Sequence, residues 1–203
     1  MIYNFYDDIK SDCYKDLIGF LVERCDVFTF MFPQYHCCFL TKENFDMVND
    51  GKHSIGDKFY DSCGTEFEEE EKLYQEYMNK NKHLLESLTP YFIRTVETAC
   101  YGGQITGYLC TAYVYKLCRE SAEILKKQKS LFSWQRECSS VRPLPCDLCF
   151  YHKGITVMET VAHENLGRIF LEKEDVQAIK RIGVKAEKSV NQYEAERCDY
   201  AIL

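Results

Sequence analysis

Residues 147–164 read DLCFYHKGITVMETVAHE. Two runs rich in aromatic and β-branched residues flank His152-Lys153-Gly154, so the stretch reads as a β-hairpin. Leu148–Tyr151 runs out, the His-Lys-Gly segment turns, and Ile155–His163 returns. A tight hairpin makes an antiparallel pair. The segments around it do not alternate strand and helix regularly, as a doubly wound parallel sheet requires. The expectation is an α+β fold with a mainly antiparallel sheet and helices packed on one face. Residues 1–203 are read as a single domain, with a sub-division near residue 90 left open: a helical, acidic half (1–90) and a sheet-rich half (91–203).

Beyond the hairpin, Arg168–Leu171 reads as a short strand. Residues 172–183 read as a helix with acids first, bases last and Gly183 as its C-cap. The polar tail to Leu203 is expected to carry a last helix. Before the hairpin, 135–146 is irregular, 120–132 is a helix and 108–118 is a strongly β-prone strand. Residues 89–101 form another strand, joined to it by a turn over Gly102–Gly107. No Gly-Lys-Ser/Thr follows those glycines, so they are not a phosphate loop. Thr65–Leu88 is the clearest helix, with Phe67, Tyr74, Tyr77, Met78, Leu84, Leu85 and Leu88 on one stripe. Residues 51–65 read as loop, 35–40 as a short strand, and Thr41 as the start of a short helix. Residues 26–32 read as a buried strand, and 5–24 as an amphipathic helix carrying Ile9, Cys13, Leu17, Phe20 and Leu21. No internal repeat is visible.

The chain has 203 residues, 46% hydrophobic and 28% charged, which suits one ordinary globular core. No apolar run approaches the length that spans a bilayer. The first residues carry acids where a signal peptide needs bases. A cytoplasmic protein without membrane association is expected. The twelve cysteines are then expected to be reduced and packed as small hydrophobes. Residues 1–90 hold 18 Asp+Glu and 9 Lys+Arg, a net −9; the remainder holds 14 and 16, a net +2. The whole-chain net of −7, without a basic stripe, argues against nucleic-acid binding. The acidic half suits a basic protein partner, and surplus acid also keeps a chain soluble.

Four acids, Glu68, Glu69, Glu70 and Glu71, are the candidate partner-binding residues. Acids in the first turns of a helix also offset its dipole, which explains them without a partner. Cys146, Cys149 and His152 are the weak metal candidates. Structural zinc needs four ligands, usually from two such cysteine pairs, and only one Cys-x-x-Cys is present. His163, Cys138 and His36 stand at no recognised spacing from it. On a regular strand, positions 146 and 149 face opposite ways, which disfavours a shared metal and favours ordinary packing. His163, Glu164 and Asp147 are the weak catalytic candidates. A His beside a carboxylate can act as a base, but a polar cluster that fixes the hairpin accounts for them equally. Hydrolase, zinc-protease, Walker and dinucleotide fingerprints are absent. No cofactor is expected.

Leu144, Pro145, Asp147, Leu148, Phe150 and Tyr151, followed by Ala162, His163 and Glu164, form a pattern. It resembles a group of small bacterial proteins of uncharacterised function with an LPxDLxFY…AHE segment. The resemblance spans about residues 108–171 and does not cover the N-terminal half. It implies no catalytic role. It also implies that Cys146 stands outside the shared pattern, where relatives carry an acid. In general character the chain is similar to immunity proteins of bacterial toxin systems, which are small, acidic α+β proteins of the cytoplasm. That likeness implies a non-catalytic binding protein, an inhibitor of a basic toxin or nuclease. The alternatives are an enzyme using His163, Glu164 and Asp147, or a structural subunit of a larger bacterial assembly. The oligomeric state is open.

Overall fold

A computed structural model describes residues 1–33, 64–101, 104–135 and 144–189. In chain order the elements are β1 (Ile2–Phe5), α1 (Ser11–Val22), β2 (Val27–Pro33) and α2 (Gly64–Leu88). Next come β3 (Phe92–Tyr101), β4 (Gln104–Lys116), α3 (Arg119–Leu125) and β5 (Cys146–His152). The chain continues with β6 (Ile155–Val161), β7 (Leu166–Phe170), α4 (Asp175–Ile182) and β8 (Glu187–Lys188). The strands form one sheet in the order β3-β4-β2-β5-β6-β7-β1-β8. Every neighbouring pair in it is antiparallel. The fold is α+β.

The hairpin of the opening stretch is β5–β6. Lys153 and Gly154, at φ 48° and 80°, make its two-residue turn, the left-handed pair that matches strand twist. Lys153 N–H also donates to both oxygens of Asp26 (3.1 and 3.2 Å), which ties the turn to the residue just before β2.

Helices cover one face. Tyr14, Leu17 and Leu21 of α1, Tyr77 and Leu88 of α2, Leu125 of α3 and Ile179 of α4 join a single buried cluster. That cluster includes Phe28, Phe30 and Phe32 of β2, Phe150 of β5 and Ile169 of β7. Trp134 belongs to the same cluster and is fully buried. Its Nε1 donates to the Tyr14 hydroxyl (3.2 Å), which in turn donates to the Leu125 carbonyl (3.1 Å). Burial pushes the Tyr14 hydroxyl up, so it stays protonated and keeps donating. Among the described residues no helix is long and apolar enough to cross a membrane.

Three expectations are corrected. Residues 5–24 are not one helix: Ile2–Phe5 is a strand and the helix begins at Ser11. Phe5 ends β1 against Gly167 of β7 and Lys10 bridges to Ser130, and these pairings outweigh the local helical period. The helix expected over 120–132 stops at Leu125. Past it, Ser130 forms a bridge with Lys10, and Leu131 N–H donates to the Ile9 carbonyl (2.9 Å). Residues 104–107, expected within a turn, belong instead to β4, which begins at Gln104. The expectations for 35–40, the helix from Thr41, the 51–63 loop, Cys138 and the tail from 190 lie outside the described residues.

One glycine is fixed by packing. Phe5 lies directly across from Gly167, and a Cβ at Gly167 would collide with the Phe5 ring. That ring is 1% exposed and stacks on Phe132 at 6.0 Å, so it has little room to move. Gly167→Ala is predicted to lower unfolding free energy by about 2–3 kcal/mol, the upper part of the usual overpacking cost. Gly19→Ala in α1, where a Cβ meets nothing within 4 Å, is predicted to raise it by about 0.5–1 kcal/mol. Urea denaturation of both variants checks the pair.

Candidate functional site

The hairpin positions every singled-out residue of the C-terminal half, and an irregularity in β5 decides where each one points. Thr29 pairs with Cys149 and Met31 with Cys146. One residue of β2, Phe30, therefore faces two of β5, Asp147 and Leu148. Asp147 is the extra residue of this bulge and sits at φ 56°, a conformation that Asp tolerates better than most residues.

The bulge corrects the reading of the cysteines. Alternation would put positions 146 and 149 on opposite faces. The extra residue restores the phase, so both join one cluster, and Cys146 Sγ also lies 3.8 Å from the Tyr77 hydroxyl of α2. There they pack with Met31, Ala112, Val114 and Tyr151. Cys149 is fully buried and Cys146 nearly so. Neither is in a disulfide, and the same holds for Cys13, Cys25 and Cys118. His152 is exposed at the far end of β5 and does not join them. Among the described residues no three His, Cys, Asp or Glu side chains gather where a metal ion could be held.

Asp147 is 4% exposed. Its Oδ1 accepts the Ala162 N–H at 2.7 Å, and its own N–H donates to the Trp134 carbonyl (3.0 Å). The carboxylate thus clamps the start of the single turn Ala162–Glu164, which leads into Asn165 in the left-handed region. Burial raises the Asp147 pKa from 3.8 to about 6, opposed by the Ala162 hydrogen bond and by nearby His163. His163 and Glu164 sit on that turn with side chains 55% and 52% exposed and 3.8 Å apart. The three candidate catalytic residues are near one another, Asp147 in β5 and the other two on the turn, yet they do not converge. Asp147 is directed inward to a backbone amide while the other two face solvent.

Sequence reasoning missed a second charged pair. Glu159 of β6 and Arg168 of β7 stand opposite each other, with Nε donating to Oε1 at 2.7 Å. Glu159 is 4% exposed. Desolvation raises its pKa and the Arg168 charge draws it back. Asn4 of β1 is next in the row, opposite Arg168, and its buried Oδ1 has no hydrogen-bond partner among the described residues. The available signal was an acid inside ITVMETV and a base inside LGRIF, charges set in otherwise β-prone runs.

Glu68–Glu71 fall on the early turns of α2; their side chains lie outside the described residues. Compared with protein-family models, curated proteins and solved structures, the chain matches none of them.

Asp147 carries a pH signature. Its folded pKa of about 6 lies above the ordinary 3.8, so the folded chain binds the extra proton between those values. This contribution to stability is complete below about pH 4 and is lost as pH rises through 6. The loss is on the order of 3 kcal/mol for a shift of about two pKa units. Asp147→Asn keeps the acceptor for Ala162 N–H and tolerates the positive φ. It is predicted to erase this decline, leaving the variant at least as stable as the parent at pH 7.5. Chemical denaturation at pH 4, 5, 6 and 7.5 reads it out; a decline of equal depth in both proteins would reject the assignment.

Proposed function

We propose that the chain is a non-catalytic binding protein of the cytoplasm, an immunity-type inhibitor that covers the site of a basic toxin or nuclease. The observation that carries this reading is the exposed acid on and beside α1. Asp7, Asp12, Asp16 and Glu23 all face solvent, and Tyr6 beside them is 57% exposed. Within α1 the one basic residue is Lys15, paired to Asp12 at 3.0 Å. Asp7 pairs with Lys185 at 3.6 Å and Glu23 with Arg24 at 3.4 Å; exposed pairs of these kinds contribute little to stability, so the acids remain available to a partner. Acid with an accessible tyrosine suits a basic protein surface, steering the encounter by charge and anchoring it with the ring. An enzyme built on His163, Glu164 and Asp147 has less support, because the Asp147 carboxylate is engaged by the Ala162 amide.

The test is protection of cells that express a basic toxin encoded beside the gene for this chain. The parent chain is expected to restore growth. Asp12→Lys, Asp16→Lys and Glu23→Lys together are expected to leave the fold intact by circular dichroism and to abolish rescue. Association between the purified proteins should slow by at least about tenfold at low salt, as steered encounters do when the charge is reversed. Undiminished rescue by the triple variant would remove α1 from the interface.

A further inference from the structure

Two neighbouring helices of the covering layer carry opposite charge on their outer sides. α1 and α4 run antiparallel. At one end Cys13 Sγ reaches the Ile182 carbonyl (2.8 Å), and at the other Arg24 holds Asp175 (2.6 Å). Asp12, Asp16 and Glu23 follow one another along α1 at steps of four and seven residues, so they share one stripe. All three are exposed, and buried Tyr14 and Leu21 lie on the opposite side of the helix. On α4, Lys180 and Arg181 are exposed in the last turn. The antiparallel arrangement therefore brings Asp12, Asp16, Lys180 and Arg181 to the same end of the helix pair. Tyr6, 57% exposed, adjoins that end through the pair of Asp7 with Lys185 at 3.6 Å.

A partner with one sign of charge complements only one of these helices. A second copy complements both. We propose that two copies of this chain pair face to face through α1 and α4, with Asp12 and Asp16 of each against Lys180 and Arg181 of the other. A two-fold axis along the helix pair lays α1 of one copy over α4 of the second and keeps like ends level. Acid then meets base twice, and the isologous contact closes at two copies. Toward the far end Glu23 would approach Glu174 of the second copy, so the helices splay apart there, as helices that cross at an angle do. The Asp12–Lys15 pair at 3.0 Å and the hydrogen bond from Arg181 Nε to the Gln177 carbonyl at 3.2 Å are both exposed. Such surface interactions are weak enough to give way to a second copy. The pairing occupies two of the acids named above yet does not depend on the inhibitor reading.

Sedimentation velocity over a wide range of concentration tests it, with two double variants. Lys180→Glu with Arg181→Glu sets acid against acid. Asp12→Lys with Asp16→Lys sets base against base. The parent is expected to show a concentration-dependent dimer that weakens as salt rises. For either variant alone the dissociation constant should rise at least about tenfold, as it does when like charges are opposed across an interface. An equimolar mixture of the two variants restores acid against base at both contacts. Its heterodimer should return to within roughly threefold of the parent's constant. A parent that is monomeric at every concentration, variants that dimerise as the parent does, or variants that fail to restore each other on mixing would overturn the proposal.

Discussion

The hydrogen bond from Ala162 N–H to the buried Asp147 carboxylate is the constraint from which the C-terminal half of the structure follows. It joins the bulge of β5 to the turn that ends β6. The bulge needs a residue that accepts a positive φ, and Asp147 provides it. Once in place, the extra residue sends Leu148 and Phe150 into the main cluster, and Cys146 and Cys149 into the second. The turn it clamps reverses the chain into β7, which places Gly167 against Phe5 and Arg168 against Glu159. The same clamp leaves His163 and Glu164 in solvent. A residue that looked like a third catalytic partner thus keeps the other two from being buried beside it.

The two faces of the sheet are stabilised differently. The helix face is a layer of rings: Phe28 on Tyr115 at 5.3 Å, Phe30 on Trp134 at 5.7 Å and Phe32 edge-on to Tyr77 at 5.1 Å. Such pairs add to the burial of large apolar area. The opposite face is built from small and sulfur-containing side chains with a polar row beside them. A buried ion pair such as Glu159–Arg168 adds little net stability compared with apolar packing, but losing one member strands the other charge. The first face therefore supplies most of the driving force for folding, and the second penalises wrong strand pairing.

Much of the architecture was legible because local signals and tertiary structure agreed. The β5–β6 hairpin, β2, α2 and α4 with its Gly183 cap all carry a strong period together with turn or cap chemistry. The errors fall where a partner far along the chain decides. Residues 5–10 carry part of a helical period, yet β7 claims Phe5 and the helix begins only at Ser11. Residues 126–130 continue a helical pattern, yet Lys10 pairs with Ser130. The candidate site was legible in part. The neighbourhood of Asp147 and the 162–164 segment follows from hairpin geometry. The shared cluster of Cys146 and Cys149 does not, because a bulge changes the phase of alternation and depends on β2 opposite.

Charge inside the fold is close to balanced, and this bears on what the acidic surplus does. Asp147 and Glu159 are the buried acids among the described residues. The first is held by a backbone amide with its pKa raised to about 6, and the second is neutralised by Arg168. At the partly buried junction of α1 and α4, Asp175 accepts from Arg24 Nη2 at 2.6 Å, while the guanidinium carbon lies 3.7 Å over the Phe20 ring. None of these interactions needs excess acid. The exposed carboxylates of α1 make no comparable contribution to the core, so folding alone does not explain them. Their effect is on the field outside the molecule, which acts on encounter with charged partners rather than on the choice of fold.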